Sequence, residues 1–279
     1  MRGSRVVSRL LVVFSMMLVA AGGYVWAQQA QQAKPFEPEV GQPGKDVVWV
    51  PTPQVLVDKM LDMAKLTPQD YLIDLGSGDG RTVITAAKRG AHAVGIEYNP
   101  NMVELSRANA AKAGVGDRAQ FMKADLFESD FSKATVITMF LLPDINLRLR
   151  PKLLEMKPGT RIVSNSFTMD EWAADETETV DDSNCSSWCT ALLWIVPAKV
   201  AGKWRMSSGE LTLKQEFQML SGSLTANGKS TPISDAKMSG DQITFSAGGA
   251  VYTGRVKGNV MEGTDKTNGT SAAWTATRE

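Results

Sequence analysis

Residues Tyr71-Leu-Ile-Asp-Leu-Gly-Ser-Gly-Asp-Gly-Arg81 join an apolar run, a carboxylate and three glycines at alternate positions. Tyr71 to Leu75 has the make-up of a short buried strand, and Arg81 to Arg89, closed by Gly90, that of a helix. Strand, glycine turn and helix in this order let the backbone approach a ligand closely, because no Cβ intervenes, and aim the first N–H groups of the helix at it. The spacing is D-x-G-x-G-x-G, with Asp74 two residues ahead of Gly76. A dinucleotide fold uses G-x-G-x-x-G around a pyrophosphate. Asp74 would repel a pyrophosphate, but it can accept hydrogen bonds, direct or through water, from an ammonium group.

Two further acids stand at the same kind of position. Ala91 to Glu97 reads as a second strand, and Glu97 lies about twenty residues beyond the glycines, where a doubly wound fold places the carboxylate that holds ribose hydroxyls. Ala119 to Ala124 reads as a third strand running into Asp125-Leu126-Phe127. Asp125 taken alone also suits a helix cap. With these residues in view, Asp74-Leu-Gly-Ser-Gly-Asp-Gly80 resembles the first motif of the class I S-adenosylmethionine-dependent methyltransferases, whose ligand carries a sulfonium and an α-amino acid but no phosphate.

The remaining pattern predicts an α/β domain with a doubly wound, seven-stranded, mostly parallel sheet. Thr52-Pro53 reads as a cap and first-turn proline opening a helix through Lys65. Asn99-Pro100 starts a helix over 101–113 that Gly114 ends. Ala134 to Phe140 is a fourth strand, Asp144 to Met156 a helix with Pro151 as a break or restart, and Arg161 to Phe167 a fifth strand. Glu176 to Val180 and Thr190 to Pro197 suit an antiparallel hairpin carrying Cys185 and Cys189 in its connection. From Gly202 the period changes to short alternating runs split by Gly, Asn and Ser. This predicts a small all-β C-terminal domain, a meander closing as a barrel or a sandwich. Both a docking or stabilising role and ligand binding are open for it.

The first residues read as a leader. Arg2, Arg5 and Arg9 precede the apolar run Leu10 to Ala21, and Val25-Trp26-Ala27 offers a cleavage site after Ala27. The alternative is an uncleaved anchor. Either reading sends the rest of the chain out of the cytoplasm, to the periplasm or facing it. The domain reading is therefore 1–27 leader, 28–46 flexible linker rich in Gln, Pro and Gly, 47–201 the sheet domain, and 202–279 the β domain. Lys plus Arg and Asp plus Glu number 30 each, so no basic field argues for a nucleic-acid partner. In an oxidising compartment Cys185 and Cys189 make a candidate disulfide. Two thiols and the single, distant His92 do not make a metal site.

Several stretches narrow the resemblance: Val50-Pro-Thr-Pro53, Asp74 to Arg81, Gly95-Ile-Glu-Tyr-Asn99, Ala124-Asp-Leu-Phe127, Phe140-Leu-Leu-Pro143 and Leu149-Arg-Pro-Lys-Leu. The region from about Val47 to Trp172 resembles a bacterial group of class I methyltransferases. That group is akin to the mitochondrial lysine methyltransferases that modify an ATP synthase c-subunit and an adenine nucleotide carrier. More distantly, the region resembles the non-SET histone lysine methyltransferases. The resemblance implies S-adenosylmethionine as cofactor, held by Asp74, Gly76, Ser77, Gly78, Gly80, Glu97, Asn99, Asp125 and Leu126. It implies in-line methyl transfer to a protein lysine, with Phe140, Pro143, Asn165, Phe167 and Trp172 as candidates for the acceptor channel and no dedicated base. No Asn/Asp-Pro-Pro-Tyr motif, common in DNA-adenine and glutamine methyltransferases, follows the fourth strand. A protein acceptor is expected, a small molecule is an alternative, and membrane contact would come only through an uncleaved leader. Export stands in tension with a cofactor made in the cytoplasm. That tension leaves a second reading, an exported ligand-binding protein without turnover whose function lies in the β domain.

Overall fold

The computed structural model describes residues 36–279; the segment 1–27 that reads as a leader lies outside them. The first domain alternates α1 (Gln54–Met63), β1 (Tyr71–Leu75), α2 (Arg81–Lys88), β2 (His92–Glu97), α3 (Pro100–Lys112), β3 (Ala119–Lys123), β4 (Val136–Met139), α4 (Pro143–Leu154) and β5 (Arg161–Asn165), then the hairpin β6 (Glu176–Thr179) and β7 (Thr190–Ile195). The strands form one sheet in the order β3-β2-β1-β4-β5-β7-β6. The pairings from β3 through β5 are parallel, and β7 runs antiparallel to both β5 and β6. This is the expected seven-stranded, mostly parallel sheet, and its order reverses between β1 and β4.

Period two along the strands sorts residues onto two faces. Leu72, Ala93, Val136 and Val163 meet α1, α2 and α3, whereas Ile73, Val94, Ile137 and Ile162 meet Ile145, Leu149 and Leu153 of α4. The central strands are buried on both sides, which is why they read as nearly continuous apolar runs. Edge strand β6, Glu-Thr-Glu-Thr, is exposed throughout, and its charges discourage pairing with another chain.

Three local expectations are corrected. Thr52 does not cap α1: Pro53 occupies the cap position, and Thr52 is buried with its hydroxyl accepting from Asn165 Nδ2 at 3.3 Å. Pro151 neither breaks nor restarts α4, which runs through it; the residue is exposed, so its ring does not disturb the core side of the helix. The linker at 28–46 is not a loose tether over its described part. Gly41 N–H donates to Trp49 O, Trp49 N–H to Gln42 O, and Gly44 N–H to Val47 O, so residues 41–49 form a short hairpin-like strap.

The C-terminal domain consists of β8 (Gly202–Met206), β9 (Gly209–Glu216), β10 (Met219–Ala226), β11 (Lys229–Pro232), β12 (Ser234–Ser239), β13 (Gln242–Ala247), β14 (Ala250–Lys257), β15 (Val260–Thr267) and β16 (Thr270–Arg278). Because β9 pairs with both β8 and β10, the meander closes into a barrel, and β11 adds to β10 outside the ring. Asn227-Gly228 and Asn268-Gly269, both residues at positive φ, make the tight hairpin turns that match strand twist. Trp204, Leu211, Met238, Ile243, Phe245 and Met261 fill the interior. Trp204 is fully buried and its indole N–H donates to Val200 O at 2.8 Å. Trp204→Ala is expected to cost about 3–5 kcal/mol by leaving a cavity in a small core, read as a lowered denaturant midpoint.

The barrel packs on the sheet domain through Phe217. Its ring stacks on Trp172 at 6.0 Å and lies under the Arg150 guanidinium, while Gln218 Nε2 donates to Ala173 O. Trp172 is fully buried in this junction, and Trp194 Nε1 donates to its carbonyl at 2.7 Å. It therefore belongs to the packing between the two domains rather than to an acceptor channel.

Candidate functional site

The carboxyl ends of β1, β2 and β3 open onto one cavity of about 230 Å³ at the point where strand order reverses. A single water needs only about 10–15 Å³, so the space suits a sizeable organic ligand. Asp74, Glu97 and Asp125 all line it, together with Gly76, Ser77, Gly78, Asn99 and Leu126.

The glycine turn after β1 is folded tightly. Gly76 N–H and Ser77 N–H both donate to Ile96 O, and Gly80 N–H to Ser77 O. Gly76, Gly78 and Gly80 have φ of 78°, 53° and 82°, the left-handed region that a side chain disfavours. Gly80 does not line the cavity. A Cβ there would lie 2.7 Å from the Phe121 ring and 2.9 Å from Ser106 Cβ, so this glycine serves the packing of the turn on β3 and α3. Ser77 Oγ is buried beside Gly95 with no hydrogen-bond partner among the described residues.

The three acids differ in their surroundings. Asp74 is buried, and Thr138 Oγ1 donates to its Oδ1 at 2.6 Å. Burial lifts its pKa from 3.8 to about 7; the Thr138 hydrogen bond opposes this, while the nearby Glu97 and Asp79 charges add to it. Glu97 ties two loops together: Oε2 accepts from Gly78 N–H at 3.0 Å and Oε1 from Asn99 N–H at 2.8 Å. Asn99 in turn spends its side-chain oxygen on Asn101 N–H, capping α3. Asp125 accepts from Lys45 Nζ and from Phe127 N–H, which hold its carboxyl below the usual range, the lysine contact contributing most.

Lys45 belongs to the strap, which roofs the cavity. Its ammonium lies 5.0 Å from the Tyr98 ring, and Gln42 reaches Met102 Sδ on α3. Trp49 lies over the glycine turn, its Nε1 2.7 Å from where a Cβ on Gly78 would stand. Arg81 fastens the segment between the strap and α1 by donating to Thr52 O at 2.9 Å while pairing with Asp79.

The opposite end of the cavity is aromatic. Phe140, leaving β4, stacks on Phe167 with centroids 5.8 Å apart, and Trp188 lies 6.1 Å from Phe140. All three line the cavity. Three acceptor-channel candidates do not, Trp172 of the domain junction being one. Pro143 is the exposed first residue of α4, and Asn165 is buried against Thr52 with Oδ1 unpartnered. Cys185 and Cys189 are joined as a disulfide in the β6–β7 connection. Lys45, Trp49 and Trp188 are the residues that sequence reasoning missed; only the tryptophans' proximity to the Val50-Pro-Thr-Pro53 motif and to the cysteine pair offered a signal.

The same stretch of chain is shared with known proteins. Residues 74–176 match the ANTKMT methyltransferase domain. A protein-lysine N-methyltransferase of Saccharolobus islandicus is 45% identical over 153 residues, covering 54% of this chain and 94% of that protein. The mouse lysine N-methyltransferase of the ATP synthase c-subunit is 42% identical over 107 residues, a match that covers 38% of this chain and only 43% of that protein. Among solved structures, an RNA methyltransferase from Salinibacter ruber in complex with S-adenosyl-L-homocysteine is 46% identical with a TM-score of 0.51, covering 54% of this chain and 96% of that one.

Proposed function

The chain belongs to the class I S-adenosylmethionine-dependent methyltransferases related to the ATP synthase c-subunit lysine methyltransferases, and on that premise we propose that it N-methylates lysine side chains of a protein acceptor. The observation that carries the reading is the placement of Asp74, Glu97 and Asp125 on one cavity whose far end is the Phe140–Phe167 pair.

The residues fit the cofactor. Asp74, a buried acid that among the described residues accepts a side-chain hydrogen bond from the Thr138 hydroxyl alone, is suited to an α-ammonium group. Glu97 offers two carboxylate oxygens to a ribose diol, as its backbone contacts fix its orientation. Asp125 beside Leu126 suits an adenine amino group and ring, with Ile96 and Met102 adding apolar surface. S-adenosylmethionine supplies an electrophilic methyl group on a sulfonium centre with a good leaving group. The strap and the aromatic residues Phe140, Phe167 and Trp188 line that region of the cavity. A lysine ammonium brought up against the stacked Phe140–Phe167 pair at the cavity's aromatic end meets an apolar surrounding that lowers its pKa, so it can surrender its proton to water without a dedicated base.

The reading of the leader as an export signal also stands as a proposal. The Cys185–Cys189 disulfide supports it, since such bonds persist in oxidising compartments. In that case the methylated protein is itself exported or faces the same compartment.

The test is to incubate the chain with S-adenosylmethionine and, in parallel, a lysine-rich peptide and a structured RNA, then follow methyl increments by mass spectrometry. Methylation of lysine Nζ in the peptide alone is the expected result. Methyl groups on the RNA, with none on the peptide, would overturn the lysine reading and align this chain with its Salinibacter relative.

A further inference from the structure

Trp188 occupies the fourth position of the five-residue loop closed by Cys185 and Cys189, and its backbone lies at φ 53°. A bulky residue in the left-handed region is strained and persists only where its surroundings hold it there. The loop is held at several points. The disulfide closes it, Cys185 N–H donates to Asp182 O, and Val180 N–H donates to Cys189 O at 2.8 Å. Ser166, also left-handed at φ 56°, donates its N–H to Thr190 O, which fastens the segment carrying Phe167 to the residue after Cys189.

The outcome of these constraints is an indole 46% exposed, not buried, at the rim of the cavity beside Phe140. Fixing a large apolar ring half in solvent gains nothing for the core. It does extend the Phe140–Phe167 stack outward, tilted at 59° to Phe140, so that the aromatic lining of the cavity continues to its rim.

We propose that Trp188, positioned by the Cys185–Cys189 disulfide, is a specificity-determining residue that receives the incoming lysine side chain at the mouth of the acceptor channel. The indole covers the lysine methylenes and its face attracts the ammonium before the proton is lost. Cofactor binding, at the other end of the cavity, does not depend on it. This inference rests on the lysine-acceptor reading given above.

The experiment compares the full chain with Trp188→Ala, Trp188→Phe and the double variant Cys185→Ser/Cys189→Ser, using an oligolysine peptide as acceptor and S-adenosylhomocysteine as the cofactor-site probe. Trp188→Ala is expected to raise the peptide KM roughly tenfold with kcat little changed, since the contact is made equally in ground and transition states. Trp188→Phe should recover most of that loss, and the double serine variant should resemble Trp188→Ala because the loop no longer holds the ring. S-adenosylhomocysteine affinity should be the same in all four proteins, which also shows that each is folded. A wild-type enzyme that methylates the peptide with an unchanged KM in Trp188→Ala would overturn this proposal alone. A wild-type enzyme that binds S-adenosylhomocysteine but leaves the peptide unmethylated would overturn the lysine reading, and this proposal with it.

Discussion

Asp74→Asn is expected to stabilise the free protein while abolishing its cofactor affinity. In the folded state burial raises the Asp74 pKa from 3.8 to about 7, so the folded chain holds an extra proton between those values. Stability attributable to this group is therefore greatest at low pH and is lost as pH rises through about 7. Above that point ionised Asp74 costs up to about 4 kcal/mol. Asparagine keeps an oxygen for the Thr138 hydroxyl and carries no charge to desolvate. Denaturation at pH 8 should show the variant more stable by about 2–4 kcal/mol, with the difference narrowing at pH 5. The same substitution removes the carboxylate offered to an ammonium group, and affinity for S-adenosylhomocysteine should fall about 100-fold or more. In the wild-type protein, affinity should weaken as pH drops below 7, because binding must then first deprotonate Asp74.

Glu97→Ala carries the opposite stability sign and a comparable functional loss. Its carboxylate accepts Gly78 N–H and Asn99 N–H, joining the glycine turn to the start of α3. Truncation leaves both donors short of an acceptor and should destabilise the fold by about 1–3 kcal/mol. It also removes the two oxygens suited to a ribose diol, so S-adenosylhomocysteine affinity should again drop by about 100-fold. A stabilised variant and a destabilised variant that both lose binding cannot be explained by unfolding. Calorimetric titration alongside denaturation separates the two effects.

The parts of the fold legible in the sequence are those with a local physical signature. Tyr71 to Leu75, Ala93 to Ile96 and Val136 to Leu142 are mostly apolar runs followed by Gly76, Glu97 and Pro143, so these strands and their carboxyl ends are legible, and with them Asp74 and Glu97. The strap could not. Its Gln, Pro and Gly content suggests a tether, and its order comes from Lys45 meeting Asp125 and Trp49 covering Gly78, partners distant in sequence. Gly80, Pro143 and Asn165 do not line the cavity for a related reason: a motif locates a strand end but not the direction in which each residue faces. Gly80 turned toward Phe121, Asn165 toward Thr52, and Pro143 outward at the first turn of α4. Alternation alone does not distinguish a barrel from a sandwich, because closure depends on β9 pairing with both β8 and β10.

The most direct test of the assigned site is calorimetric titration of S-adenosylhomocysteine into the full-length wild-type chain, Asp74→Asn and Glu97→Ala at pH 8. Micromolar binding to the wild type, lost in both variants, is the predicted result. A folded wild type that does not bind, or three proteins that bind alike, would contradict the assignment of this cavity as the cofactor site.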